Sequence, residues 1–473
     1  MAMEFIVPGI QIDESDVGPR PTPQISLSGI GIVGTFKRGP INTPTTIGDA
    51  ESLVTTFGDH MTGLTGYLSA YGALVQGAND LRIVRIAGTG HAAATKTFQD
   101  GTAEPKDSLV VTANSDGAWG NDVAVTIKSN ATNFDLYVSY EGAVESFLGL
   151  TLDTLAKVSS KFVNVAKATG AAALPKATTA GVSLAGGNDG AAVADADYVG
   201  TIDEATGKRS GLKALEPEQV GLVLCAQQYS ATIHSALLSF VENCDIEEGL
   251  RMAVLNTAPG LSVDAAKAQT TALDSERGYF VYPWVEPEDL EGTYVAPDGY
   301  YAGVVSVLNP CQSPSNKKVK GILSCEHKFT YAQVKGLTQA RISPITLVPN
   351  RGFRIRNGLT LSSDSAWSQS NIRRQQDKME MELYNALQWA ISEPHDLPLW
   401  NSVADQIDMY LQTQKNLGFI RGFKPTLCND QTNPPENITA RILTAIARWV
   451  PLYAADFIVL GVKRELTADS TLS

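Results

Sequence analysis

The order of apolar and polar residues changes character several times along the chain, and each change predicts a different element. Gly29-Ile-Gly-Ile-Val-Gly-Thr-Phe36 is an almost unbroken apolar run, as expected of a strand buried on both faces. Short helices are predicted within Gly48 to Phe57 and Tyr67 to Gln76. Leu81-Arg-Ile-Val-Arg-Ile86 then alternates with period two, like a half-buried strand. Residues 29–95 therefore read as compact α/β. From about 96 to 195 the chain turns to Ala, Thr, Gly and Ser. Short strands at Leu109–Ala113, Val123–Lys128 and Phe134–Tyr140 make this a mainly β insertion, closed by the turn signal Gly186-Gly-Asn-Asp-Gly190.

Residues 196–345 alternate again. Val220–Cys225, Arg251–Leu255 and Gly278–Val285 read as strands, and Ile233–Asn243 and Ser262–Leu273 as helices, which is the rhythm of parallel α/β units. In the last third, Ile372, Met379, Leu383, Leu387 and Ile391 share one face of a helix from Asn371 to Ser392, which Pro394 ends. Val403, Ile407, Tyr410 and Leu411 mark a second helix. Ile438, Ile442, Ala445, Ile446 and Trp449 mark a third, after Pro434-Pro435.

The two ends differ from everything between them. Phe5-Ile-Val-Pro-Gly-Ile-Gln-Ile12 has strand content with no nearby hairpin partner, and Pro19, Pro21 and Pro23 disfavour helix for themselves and for the residues before them. Residues 1–28 read as an arm, a short strand on a semi-rigid tether. Phe457-Ile-Val-Leu-Gly-Val-Lys463 is a terminal strand followed by a polar tail to Ser473. A strand without a local partner must find a sheet edge elsewhere, on another subunit if need be.

Composition narrows the function more than it names it. With 473 residues, 43% of them hydrophobic and 18% charged, the chain can bury several cores. The fold expected is mixed α/β and multidomain. Its parts are an inner domain from 29–95 with 346–456, the variable β insertion 96–195, an α/β middle domain 196–345, and terminal segments 1–28 and 457–473. A net charge of −13 opposes direct binding of nucleic acid or an anionic membrane. Cys225, Cys244, Cys311, Cys325 and Cys428 are odd in number and widely spaced, so neither a disulfide framework nor a zinc site is indicated. The opening MAMEFIVPGI lacks the basic and apolar regions of a secretory signal.

Gly29-Ile-Gly31-Ile-Val-Gly34 matches the GxGxxG fingerprint, with Asp49 or Glu51 near the ribose-binding distance. The glycines lie inside the apolar run, however, and Pro40 and Pro44 follow where a helix would have to start, so no pyrophosphate site is expected. Cys325 and His327 are two apart on one strand face, which without further signals is incidental. No histidine pair has metal-ligand spacing. No catalytic residue, cofactor or metal is expected. Between Lys317 and Gly358 nine basic residues face one acid, Glu326, giving a local +8. This segment reads as a docking face for an acidic protein surface, or as a solvated face.

The blocks Val7-Pro-Gly-Ile-Gln-Ile-Asp-Glu14, Gly29 to Pro40, Ala78-Asn-Asp-Leu-Arg-Ile-Val-Arg85 and Ser115-Asp-Gly-Ala-Trp-Gly-Asn-Asp122 resemble, in order, motifs of contractile phage tail sheath proteins. Asn371-Ile-Arg-Arg374, Ala386-Leu-Gln-Trp-Ala390, Glu393-Pro-His-Asp-Leu-Pro-Leu-Trp400 and Asn433-Pro-Pro-Glu436 continue the resemblance to the end of the chain. It implies a structural, non-enzymatic subunit in phage tails, tailocins or related injection systems. Its expected setting is the virion tail sheath, assembled in the bacterial host cytoplasm. The partners implied are further copies in a helical stack of hexamers, the inner tail tube, and baseplate and tail terminator proteins. In the family, terminal arms add strands to neighbouring subunits. That role would fall here on Val7, Pro8, Gly9, Ile10, Gln11 and Ile12, and on Phe457, Ile458, Val459, Leu460, Gly461, Val462 and Lys463. A helix of the C-terminal domain faces the tube in the family. Asn371–Ser392 or Asp405–Asn416 are the alternatives here, with Arg373, Arg374, Lys378, Arg351, Arg354 and Arg356 as tube-facing charges. A non-contractile virion protein, such as a tube or capsid component, is the alternative reading.

Overall fold

A computed structural model describes residues 22–462. They fall into two units, one made of 26–377 with 453–462 and the other of 22–25 with 378–452.

The larger unit is built on an eight-stranded sheet. Its order is Gly352–Ile355, Ile342–Val348, Gly278–Tyr282, Met252–Asn256, Leu222–Cys225, Ile30–Gly34, Leu81–Arg85, Thr45–Ile47. The six inner strands are parallel and each edge strand is antiparallel. Alternation along each inner strand fills two cores. Ile30, Ile32, Leu222, Leu224, Met252 and Val254 face helices Ala50–Phe57, Gly66–Gln76 and Asp298–Ser306. Val33, Val223, Cys225, Ala253 and Leu255 face Ala231–Glu242, Val263–Thr270 and Tyr331–Gln339. Helices on both sides explain why these strands are apolar throughout.

The architecture is mixed α/β and multidomain, but the partition differs from the one expected. Residues 29–95 share their unit with 346–377 but not with 378–452, which fall in the other unit. Strands Ile30–Gly34 and Leu81–Arg85 lie beside Leu222–Cys225, in one sheet with the segment assigned to a separate middle domain. Parallel pairing needs a crossover, and here the crossover contains the whole insertion, so local periodicity carries no trace of it. Residues 378–452 instead form a unit with its own core.

Within 95–183, a four-stranded and a three-stranded antiparallel sheet enclose one core that includes Val125, Phe134, Leu136, Leu109 and Trp119. Two buried arginines clasp this insertion to the parallel sheet. Arg85, 2% exposed, donates to the carbonyls of Phe36 (3.1 Å), Gly39 (2.8 Å) and Asp116 (2.8 Å). Burial pushes its pKa down to about 10. Arg38 donates to the carbonyls of Val54 and Thr55 at the end of helix Ala50–Phe57. Its guanidinium lies 5.2–5.7 Å from the ring centres of Phe162, Tyr140 and Trp119 of the insertion. The segment Phe36–Gly39 is thus a socket for the insertion.

Gly29, Gly31 and Gly34 belong to this packing. A Cβ on Gly31 would meet Leu215 at 2.8 Å, and one on Gly34 would meet the Cα of Gly66 at 2.8 Å. The next helix begins only at Ala50, after an intervening strand, so the glycine-rich run does not open a phosphate-binding turn.

His234 lies in the second core against Phe280, their ring centres 5.4 Å apart. Burial pushes its pKa down to about 4 from the usual 6.5. The unfolded chain therefore takes up a proton near pH 6.5 that the folded chain refuses until about pH 4. Stability from this residue is intact above pH 6.5 and falls as pH drops through that window, by about 3 kcal/mol in full. Chemical denaturation at pH 7 and pH 4.5 checks this. The acid-induced loss should be smaller by about 2–3 kcal/mol in His234→Gln than in the wild type.

Candidate subunit interface

Three of the cations expected to face the tube, Arg373, Arg374 and Lys378, are not at the surface. In helix Ser370–Ala386, Arg373, Arg374 and Lys378 are all buried. Arg373 reaches Asp377 at 2.6 Å and Glu276 at 2.9 Å, and Arg277 reaches the other oxygen of Asp377 at 2.8 Å. The Arg374 guanidinium is enclosed near Tyr279 and Tyr301 and donates to the Leu308 carbonyl, with burial lowering its pKa. Lys378 lies over the Phe419 ring at 5.4 Å and pairs with Glu382 at 3.7 Å. These residues are corrected from docking charges to internal struts, because a buried cation holds only where carboxylates and carbonyls replace its water.

Arg351, Arg354 and Arg356 differ. They lie along the edge strand Gly352–Ile355, where Lys318 bridges Arg354 from the neighbouring segment. Lys318, Lys320 and Arg351 are exposed, while Arg354 and Arg356 are half-buried. Among the described residues, none of these five forms an ion pair with a carboxylate. The basic edge therefore carries uncompensated charge.

The C-terminal segment is the most unusual surface. Phe457, Ile458, Val459, Leu460 and Val462 are 81–96% exposed, and residues 457–462 form no strand within the chain. The strand expected at Phe457–Lys463 is thus not formed by the described part of that segment. Its backbone has no ladder partner there, and hydrogen bonds to a neighbour define a strand. In an extended chain Phe457 and Val459 would face one side, and Ile458, Leu460 and Val462 the other. Both faces are apolar, and each such side chain is worth about 1.5–3 kcal/mol when buried. The arm at Val7–Ile12 lies outside the described residues.

Sequence reading missed a complementary feature in the smaller unit. Residues 438–449 were expected to form a helix. Helix ends at Thr439, and Ile446–Val450 pairs antiparallel with Gly422–Leu427. Pro434-Pro435 starts a helix, but Ala445, Ala447 and Trp449 alternate with period two and pack, with Phe423, on the core of helix Leu397–Asn416. Ile446 and Val450 stay exposed on the other face. This sheet has only two strands, so among the described residues both of its outer edges lack a ladder partner. Two strands alone are marginal in water, and open edges invite a further strand.

Burial pushes the Cys325 thiol up to about 12, and its sulfur lies near the Ile345 carbonyl. His327 packs on Tyr282 and Phe329. Among the described residues, no cluster of three metal-ligating side chains occurs, and no helix is long and apolar enough to cross a membrane.

Comparison with known proteins finds similarity to tail sheath proteins. The model of the phage tail sheath protein central domain matches residues 190–361. A putative prophage major tail sheath protein of Pseudomonas aeruginosa is 25% identical over 234 residues, 46% of this chain and 60% of the relative. Both matches are to tail sheath proteins. The chain spans about three-fifths of that curated relative. In fold, the chain is similar to the sheath tail protein of Desulfitobacterium hafniense, with a TM-score of 0.65 and 17% identity. That likeness covers 89% of this chain and 94% of the other. It is also similar to the PVC sheath complex of an extracellular contractile injection system in its contracted state. There the TM-score is 0.59 at 13% identity, over 98% and 99% of the two chains.

The strut network gives this fold a testable weak point. Asp377→Asn would leave Arg277 and Arg373 facing a neutral amide under burial. The expected loss is about 3 kcal/mol or more by chemical denaturation. A change within about 1 kcal/mol, the level of a surface pair, would mean the charges are solvated.

Proposed function

We propose that this chain is the structural subunit of a contractile tail sheath, stacking as hexameric rings around an inner tube. Neighbouring copies are linked by exchanged terminal strands. The observation that carries the reading is a pair of matching deficits. Among the described residues, a ribbon at 457–462, apolar on both faces, has no strand partner, and the Gly422–Leu427/Ile446–Val450 sheet has two open edges. Strand addition would bury the one and complete the other with backbone hydrogen bonds. Because such a joint is heterologous, one patch meeting a different patch, repetition builds an open helix rather than a closed dimer.

The N-terminal strand Val7–Ile12 is the second thread in this proposal, on its Pro-rich tether. Linked this way, subunits rotate as bodies while the threads stay paired, so the lattice shortens and widens without breaking. Contraction is a switch between two packings of these bodies, and it drives the tube through a target envelope. Arg351, Arg354 and Arg356 are the proposed tube-facing charges, their unpaired positive edge complementing an acidic tube surface. Baseplate and terminator proteins bound the stack, and the place of action is the virion tail after assembly in the host cytoplasm. The role is mechanical, with no catalytic step.

Negative-stain microscopy of the purified full chain tests the proposal. The full chain should form tubes, and removal of residues 457–473 or of residues 1–21 should leave particles no larger than single rings. Long tubes from both truncated chains would contradict strand exchange. Tubes of a single invariant rise and diameter under every triggering condition would favour the non-contractile alternative.

A further inference from the structure

The two-stranded sheet of the smaller unit carries a charge arrangement that its own chain leaves unbalanced. Phe423 and Trp449 sit opposite each other and point into the core on helix Leu397–Asn416. The next pair along the ladder, Lys424 and Arg448, therefore lies directly opposite on the outer face. Like charges in that position repel. Among the described residues, neither forms an ion pair with a carboxylate. Asp408 of helix Leu397–Asn416 does touch the sheet, but its carboxylate accepts from the N–H and the hydroxyl of Thr426, at 2.9 and 2.7 Å. The Arg448 guanidinium donates to the Pro425 carbonyl at 2.6 Å, while its Nε is enclosed with no hydrogen-bond partner among the described residues. Lys424 is exposed.

The surroundings of these cations are apolar. Ile446 and Val450 flank Arg448 on the same face and are 43% and 42% exposed. Outward along this strand the order is thus apolar, basic, apolar. A strand added beside it would cover all three side chains at once. Covering a cation is favourable only when the covering segment brings a carboxylate to it.

The two terminal segments differ in the property this face reads. Residues 1–16 contain Glu4, Asp13, Glu14 and Asp16 and no lysine or arginine. Residues 456–465 contain Asp456 and Glu465 against Lys463 and Arg464, which balance. Asp13 and Glu14 directly follow Val7–Ile12. Successive residues of a strand face opposite sides, so in either register one of these two carboxylates falls on the face of Lys424 and Arg448.

We propose that Lys424 and Arg448 are the specificity-determining residues of this docking sheet, selecting the N-terminal strand of another copy through Asp13 and Glu14. The inference rests on the strand-exchange reading above and adds to it an assignment of partner by charge. Backbone hydrogen bonds give affinity to any added strand, and like-charge repulsion rejects the wrong one. One edge is then committed to the N-terminal strand, and the other is left for 457–462.

A charge-swap cycle on the full chain tests this. Sedimentation reads the assembled fraction, and thermal melting of dispersed chains reads Tm. The variants are Lys424→Glu with Arg448→Glu, Asp13→Lys with Glu14→Lys, and all four together. If the sheet pair lowers Tm, Lys424→Glu alone takes its place in the cycle, since it leaves the Arg448 bond to Pro425 intact. Each one-sided change should lower the assembled fraction at least about tenfold, and the combined swap should return it to within about threefold of wild type. Wild-type assembly in both one-sided variants would overturn the proposal and leave strand exchange standing. A combined swap that keeps its Tm but assembles as poorly as its parents would also overturn it. Rescue of the sheet variant by Asp456→Lys instead would name the C-terminal ribbon as the occupant, against the proposal. Long tubes from the chains lacking 1–21 and 457–473 would remove the strand-exchange reading itself, and this inference with it.

Discussion

A β-strand cannot satisfy its own backbone. Each extended residue presents an N–H and a C=O that need a neighbouring strand or water, and an extended segment apolar on both faces gains little from water. Phe457 to Val462 is such a segment, left exposed by its own chain. The sheet of Gly422–Leu427 and Ile446–Val450 has the converse need, since a two-stranded ribbon over a single helix is short of partners on both sides. Each deficit describes what the other lacks, and the proposed assembly follows from joining them between copies.

That arrangement asks for stiff bodies, because threads transmit a rearrangement only if the bodies they join do not deform. The larger unit meets the requirement in two ways. Its six parallel strands are covered on both faces by helices. Its charged side chains also point inward at the places where segments distant in sequence meet. Arg85 and Arg38 hold the β insertion against the sheet, and Asp377 joins Arg277 to Arg373. Buried ion pairs contribute little net stability, yet removing one partner is costly. Such pairs suit a body that must keep one shape under load.

The sequence reading was most reliable where one residue's environment decides one residue's type. Leu222–Cys225, Met252–Asn256 and Gly278–Tyr282 are apolar on both faces because both faces are buried, so all three stood out as strands. Their order did not, since Ile30–Gly34 pairs with strands about fifty residues later on one side and nearly two hundred on the other. Arg373, Arg374 and Lys378 looked like surface charges because a helical cation usually is one. The counter-signal was Asp377, four residues after Arg373 on the same helix face. The strand Ile446–Val450 was hidden by Ile438, Ile442, Ala445 and Trp449, whose spacing mimics a helix. The Ala445, Ala447, Trp449 alternation carried the correct period, and the short helix Pro435–Thr439 used up the proline start signal.

The most direct measurement is amide hydrogen exchange at residues 457–462 and 446–450, made on dispersed chains and again on assembled particles. The account predicts fast exchange at 457–462 in the dispersed chain, and strong protection of both segments together once the particle forms. Protection of 457–462 already present in the dispersed chain, or none gained on assembly, would contradict it.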